Sequence, residues 1–263
     1  LLEAMHALKS GGEKLRAGLP SGFPKLDEKA QFMRPSQLTI LAGRPGAGKS
    51  ALATNIAEYL CVYKAKSVLI VSLEMSKMEY AERLICSHAE INAFDARNKP
   101  LTPEQMRRMV ESHATLARSK MLICDEADQT VSDVLAMGRS LKRRNGLDLI
   151  VIDYLQLLTP QEGDNRQEQV ASISRSLKKL ARALDVPVLC LCQLSRKADD
   201  APEPERSHLR ESGAIENDAD NVLFVWEDAK TKESWIKIDK QRGGPAGRLK
   251  MTFQKEFTRF TDY

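Results

Sequence analysis

From Gln37 onward the apolar positions fall into two alternating patterns. Short continuous runs rich in Val, Ile and Leu occur at 38–42, 68–71, 121–124, 149–152 and 186–191. Runs of that length without polar alternation predict parallel strands buried on both faces. The segments between them carry helical spacing. Leu52, Ala53, Ile56 and Leu60 form one apolar face, and Val170, Ile173, Leu177, Leu180 and Leu184 another. Met106, Met109, Val110 and His113 predict a third buried stripe. Ser76 followed by Glu79, and Thr130 followed by Asp133, read as capping boxes. Thr102 precedes Pro103, an N-cap before a proline at the first helical position, and Asn145-Gly146 reads as a helix stop.

Beyond 191 the pattern changes. Segments 221–226, 234–239, 248–254 and a tail near 257–260 read as further strands, partly antiparallel, extending the same sheet. Upstream, residues 1–10 place Leu1, Met5 and Leu8 on one helical face, stopped by Gly11-Gly12. A helix that short needs a docking surface. Residues 11–21 read as a glycine-containing linker. The expected architecture is an α/β domain over residues 22–263. It has a central, mostly parallel sheet flanked by helices, with added C-terminal antiparallel strands.

Composition narrows the function classes. At 42% hydrophobic and 29% charged residues the chain is globular rather than disordered, and no apolar run is long enough to span a membrane. Forty basic residues against 36 acidic leave a net charge of +4, so any nucleic-acid site has to be local. Cys61, Cys86, Cys124, Cys190 and Cys192 contain no C-x-x-C pair. They read as buried thiols in a reducing compartment, without disulfides or zinc. No secretory leader is read, and an opening on Leu1-Leu2 reads as a fragment with more protein upstream.

The sharpest chemical signal is Gly43-Arg44-Pro45-Gly46-Ala47-Gly48-Lys49-Ser50, which fits G-x-x-x-x-G-K-[ST] between a predicted strand and a predicted helix. In such a P-loop, successive backbone N–H groups and the helix N-terminus face phosphate oxygens. Lys49 would reach the β- and γ-phosphates of ATP, and Ser50 would bind Mg²⁺.

Three predicted strand ends complete a site for nucleotide hydrolysis, because ligands gather at the carboxyl ends of such strands. The run at 149–152 ends in Asp153, which would hold Mg²⁺ through water. Tyr154 follows it, so the base cannot be the next residue. Ser72-Leu73-Glu74-Met75 closes the second strand, and Glu74 is the candidate general base. Gln193 closes the fifth strand, where its amide can touch the γ-phosphate or the attacking water and pass that state to the long polar loop 195–213.

These motifs resemble, in order, a known family. Gly22-Phe23-Pro24-Lys25-Leu26-Asp27, the phosphate loop, Ser72-Leu73-Glu74-Met75, Asp153-Tyr154-Leu155-Gln156-Leu157, Gln193-Leu194-Ser195-Arg196, Leu209-Arg210-Glu211-Ser212-Gly213 and Lys240-Gln241-Arg242 look like the C-terminal motor domain of DnaB-type replicative helicases, bacterial or phage. The resemblance implies a RecA-like ATPase with ATP and Mg²⁺ bound between subunits of a homo-hexameric ring that moves 5′ to 3′ on single-stranded DNA. By match, Arg242 is similar to the arginine finger supplied to the neighbour's ATP, with Lys240 beside it. Arg210, Glu211 and Gly213 match the loop that holds the DNA backbone, and residues 1–10 match the segment that docks on the adjacent subunit. Primase and a helicase loader are implied partners, through the ring surface or through an N-terminal domain that does not appear in this sequence. The implied location is cytoplasmic, in a bacterial cell or phage-infected host. The phosphate loop departs from the family's usual bacterial form by carrying Ala47 and Ser50.

Two other readings share part of the evidence. A RecA-class recombinase has the same fold and a nucleotide site between subunits, but builds open filaments on DNA. The segments around Arg210 and Arg242 favour the helicase. A nucleotide-binding scaffold without hydrolysis would not need Lys49, Glu74 and Asp153 together.

Overall fold

The computed structural model describes residues 18–30, 33–195, 198, 201–209 and 213–263. The predicted helix at 1–10 and Arg210 and Glu211 lie outside them. The chain order is α1 (Pro24–Lys29), β1 (Leu38–Gly43), α2 (Lys49–Glu58, continued by a π turn, Tyr59–Tyr63), β2 (Val68–Ser72), α3 (Lys77–His88), α4 (Ala93–Asn98), α5 (Pro103–Ala117), β3 (Met121–Cys124), α6 (Val131–Arg144) and β4 (Leu149–Asp153). Then come α7 (Arg166–Leu184), β5 (Val188–Gln193), α8 (Gly213–Asp218), β6 (Asn221–Glu227), β7 (Ser234–Gln241), β8 (Gly247–Gln254) and β9 (Arg259–Asp262).

The described strands form one nine-stranded sheet in the order β3-β2-β4-β5-β1-β6-β7-β8-β9. The six from β3 to β6 run parallel, and β7, β8 and β9 continue antiparallel. Alternate residues of β1, β2, β4, β5 and β6 enter opposite layers, whereas β3 at the sheet edge departs from the expected burial on both faces, with Leu122 exposed. Ile40, Leu69, Ile150, Val188 and Phe224 pack beneath α6, α7 and α8. Leu41, Ile70, Val151, Leu189 and Val225 pack against α1, α2 and Tyr80 of α3. Covering both faces explains why the strands read as unbroken apolar runs. Each fully buried aliphatic side chain contributes about 1.5–3 kcal/mol against exposure, as an upper estimate.

The three helix starts read from sequence are made as expected. Ser76, Thr102 and Thr130 each accept from the backbone N–H three residues on, and their own N–H groups donate in return to the side chains of Glu79, Gln105 and Asp133. Each cap contributes about 1 kcal/mol.

Three sequence expectations are corrected. The fifth strand closes on Gln193 as read, but it starts at Val188 rather than at 186, because its ladder with β1 begins at Leu38↔Val188, just after Pro187. In α5 the expected stripe is not the buried face. Met106 and Val110 are exposed, and Ser112 is the residue buried there. This helix packs on α3 outside the sheet, so one shallow contact replaces a core face. The tail strand is Arg259–Asp262, displaced from 257–260 by a 3₁₀ turn at Lys255–Phe257.

Candidate active site

The phosphate loop leaves β1 at Gly43 and enters α2 at Lys49. Gly43 has no room for a side chain, since a Cβ there would lie 2.5 Å from the carbonyl oxygen of Val225. Gly48 holds φ at 94°, a left-handed conformation, and a Cβ would meet the ring of Phe260 at 2.7 Å. The loop is therefore fixed from below by β6 and from the side by the stacked rings of Phe253 and Phe260, whose centroids are 4.3 Å apart. Asn55 ties this wall to α2, because its Oδ1 accepts from the N–H of Phe260 at 2.8 Å. Arg44 reaches out of the loop, its Nη2 donating to the carbonyl oxygen of Ala201 at 2.7 Å.

A cleft of about 310 Å³ opens above this loop. Pro45, Gly46, Gly48, Lys49, Ser50, Glu74 and Gln193 line it, so residues named from strand ends and the loop meet in one place. Glu74 stands exposed at the mouth, just past the end of β2. Asp153 lies deeper, at the end of β4 and 4% exposed. Burial raises its carboxyl above the ordinary range, with the Glu74 charge adding to the rise. A hydrogen bond from Ser50 and the charges of Lys49 and Arg83 oppose it. Lys49 is pulled down by burial and pushed back up by Asp153 and Glu74. Each partner thus limits the cost of burying the other.

Oδ1 of Asp153 is buried with no hydrogen-bond partner among the described residues, and the Ser50 hydroxyl is close enough to the carboxylate to favour its charged form. A buried carboxylate oxygen without a donor, beside a hydroxyl, suits a hard divalent cation or its bound water. Ser50 and Asp153 therefore fit Mg²⁺.

The sequence reading missed other members of this cleft. Arg83 on α3 lines it, one helical turn beyond Tyr80. Tyr80 is buried and its hydroxyl lies 2.6 Å from Thr54 Oγ1 of α2, which clamps α3 onto the phosphate-loop helix. The one-turn spacing from the buried Tyr80 was the available signal for Arg83. Tyr154, Phe253 and Thr258 also line the cleft.

Lys240 and Arg242 are elsewhere. Gln241 pairs with Asn221, and Asn221 and Thr39 are partners at the opposite end of the parallel strands from Gly43. Four residue steps along β1, from Thr39 to Gly43, separate the two ends by roughly 13 Å. The ladder between β6 and β7 slips between Val222 and Leu223, leaving Asp239 as an extra residue. Without that bulge Lys240 would share the core-facing side of Ile236 and Ile238. The Lys240 ammonium instead donates to the carbonyl oxygen of Glu216 at 2.5 Å. Arg242 is 77% exposed, with Nη1 3.3 Å from Asp220 Oδ1. Asp220 itself is buried and also accepts from Lys178 at 2.5 Å and from the N–H of Leu38 at 2.8 Å. Neither Lys240 nor Arg242 lines the cleft.

Gly213 begins α8 and is exposed. The loop leading to it is pinned at its base, where Leu194 and Leu209 form an antiparallel bridge. All five cysteines are thiols rather than disulfides, and Cys61, Cys86, Cys190 and Cys192 are buried. Burial pushes the Cys61 thiol up to about 12. No described helix is long and apolar enough to cross a membrane.

Residues 18–262 match the model of the DnaB-like helicase C-terminal domain. The chain belongs to that family. It is 41% identical to the replicative DNA helicase DnaB of Geobacillus stearothermophilus over 256 residues, which cover 93% of this chain and 56% of that protein. It is 40% identical to the replicative DNA helicase DnaC of Bacillus subtilis, with the same coverage. The chain thus spans little more than half the length of these relatives. Among solved structures, one described as an ATPase domain superposes with a TM-score of 0.91 at 34% identity, covering 99% of this chain and 98% of that one. A DnaB-like replicative helicase described with its primase interactions superposes at 0.89 and 34% identity, over 98% of this chain and 66% of the other. As a DnaB-like C-terminal domain the chain has a nucleotide-using fold.

Proposed function

We propose that this chain is the ATP-hydrolysing motor of a replicative DNA helicase, moving 5′ to 3′ on single-stranded DNA as a homo-hexameric ring. The observation that carries the reading is the convergence of Lys49, Ser50, Glu74 and Gln193 in one cleft, within a chain of the DnaB-like family.

In this reading the phosphates lie along residues 43–50, and Lys49 opposes the charge on the β- and γ-oxygens. Ser50 and Asp153 would hold Mg²⁺, which when bound neutralises charge on those oxygens. Glu74 takes the proton of the attacking water as its oxygen bonds to the γ-phosphorus and the bond to ADP breaks. Arg83 adds positive charge on the same wall. Gln193 contacts the γ-phosphate or the water. Lys240 and Arg242 serve the neighbouring subunit's site, consistent with their distance from their own cleft. Arg210, Glu211 and Gly213 hold the DNA backbone, one or two phosphates per subunit, multiplied around the ring. Residues 1–21 act as a docking segment and linker, and residues 22–263 as the motor. Similarity to a helicase described with its primase interactions supports primase as a partner, and a loader and a cytoplasmic location complete the proposal.

The test is phosphate release and strand displacement on a forked duplex, with and without single-stranded DNA. Hydrolysis stimulated by single-stranded DNA, and closed rings by electron microscopy, support the reading. Open filaments would favour the recombinase alternative, and nucleotide binding without turnover would favour a scaffold.

A further inference from the structure

The pairing of β4 with β5 stops short of the cleft. Its partners are Ile150↔Val188, Val151↔Leu189 and Ile152↔Cys190. On the other side β5 continues three residues further along β1, through Leu41↔Leu191 and Ala42↔Cys192 to Gly43↔Gln193. The backbone N–H and C=O of Gln193 face the side that β4 has already left. A parallel strand would normally fill that place with a peptide group, and an unfilled place would leave both groups without partners.

The place is filled by a side chain. Leu155–Leu157 form a 3₁₀ turn just after Asp153-Tyr154, and Gln156 points back at the strand end. Its Nε2 donates to the carbonyl oxygen of Gln193 at 3.1 Å, and its Oε1 accepts from the N–H of Gln193 at 3.3 Å. The same Nε2 lies 3.2 Å from Cys192 Sγ. A carboxamide offers a donor and an acceptor in one plane, as a peptide group does. Asparagine has the same head but one methylene less reach. The backbone of Gln156 is held in turn, because Arg166 at the start of α7 donates from Nη2 to its carbonyl oxygen at 2.6 Å. The chain of contacts therefore runs from the start of α7, through the turn after Asp153, to the strand end that presents Gln193 to the cleft.

We propose that Gln156 is a positioning residue for Gln193: its carboxamide stands in for the peptide group that β4 no longer supplies, and fixes the strand end from which Gln193 reaches the γ-phosphate. This rests on the reading of Gln193 given under Proposed function. A misplacement of about 1 Å at a reacting group can cost on the order of 10²-fold in rate. Loss of the clamp should therefore appear in turnover rather than in nucleotide binding, which depends on residues 43–50.

The experiment compares Gln156→Met, Gln193→Ala and the double variant in steady-state ATP hydrolysis, with melting temperatures measured alongside. Gln156→Met keeps the length and removes both hydrogen bonds. The expected result is a kcat lower by about 10- to 100-fold, a KM for ATP within about 2-fold, and an unchanged melting temperature. The double variant should be no slower than Gln193→Ala, because both changes disable one function. A wild-type kcat in Gln156→Met, or losses that multiply in the double variant, would overturn the proposal while leaving Gln193 its role. A wild-type kcat in Gln193→Ala would instead remove the role of Gln193, and this inference with it. Should Gln156→Met fail to fold, Gln156→Glu is read by the same criteria. As a carboxylate it keeps the acceptor and sets a second oxygen against the Gln193 carbonyl.

Discussion

The ammonium of Lys49 donates to the carbonyl oxygen of Arg44 at 3.0 Å, so the lysine bridges its own loop across five residues. Glu74 stands at the cleft mouth beyond it. Binding and turnover should therefore separate cleanly between these two positions. Lys49→Ala removes the main cation facing the polyphosphate, and nucleotide binding measured by calorimetry should be lost. Glu74→Gln keeps shape and binding, and kcat should fall by at least about 10²-fold, the lower range for a missing general base. A Glu74→Gln protein that turns over normally would move the base to another carboxylate.

Asp153 predicts opposite effects on stability and activity. Its folded carboxyl is raised above the unfolded value, mainly by burial. For a raised acid, ionisation is harder in the folded chain than in the unfolded one, so its cost is full above the folded pKa. The cost fades as pH falls through that value and is gone below about 3.8, where both states are protonated. Asp153→Asn should therefore abolish hydrolysis yet raise stability at neutral pH. The gain is on the order of 1 kcal/mol, a rise in melting temperature of about 2–4 °C. The difference from wild type should shrink as the pH is lowered toward about 4. A variant less stable than wild type at neutral pH would mean that the carboxylate contributes more through Ser50 than its burial costs.

Arg242 predicts complementation between two inactive proteins. Arg242→Ala subunits keep their own cleft and should bind ATP, yet fail to activate a neighbour. Lys49→Ala subunits should show the reverse. Mixed under conditions in which subunits exchange, the two should recover measurable ATP hydrolysis at some ratio, since certain interfaces then join an intact loop to an intact arginine. An arginine finger supplies roughly 10³–10⁵ in rate, so even a few such interfaces should register. If mixtures stay inactive at every ratio, Arg242 is a surface arginine paired with Asp220 and contributes under about 1 kcal/mol.

What could be read from the chain was what neighbouring residues decide among themselves. Ser76 with Glu79 and Thr130 with Asp133 settle their helix starts within four residues, and Gly43 to Ser50 settles the phosphate loop within eight. The strand ends carrying Glu74, Asp153 and Gln193 could be named because apolar runs stop where polar chemistry begins. What could not be read depends on partners far away in sequence. The frame of β5 is fixed by its ladder with β1. The bulge at Asp239 exists only against Val222 and Leu223. Gln156 looks like one polar residue in a loop until β4 is seen to end before β5. The stripe from Met106 to His113 misled because spacing shows that an apolar face exists, not that the sheet is near enough to cover it.

The separation of Gly43 from Gln241 along the sheet makes the chain a polar object. If the cleft of one copy takes Arg242 from the next and the copies close into a ring, the contact joins unlike surfaces, head to tail. Every copy then gives in one direction and receives from the other. Such an assembly has a sense of rotation written into its contacts. In such an assembly a signal raised by one filled cleft would have a defined upstream and downstream neighbour.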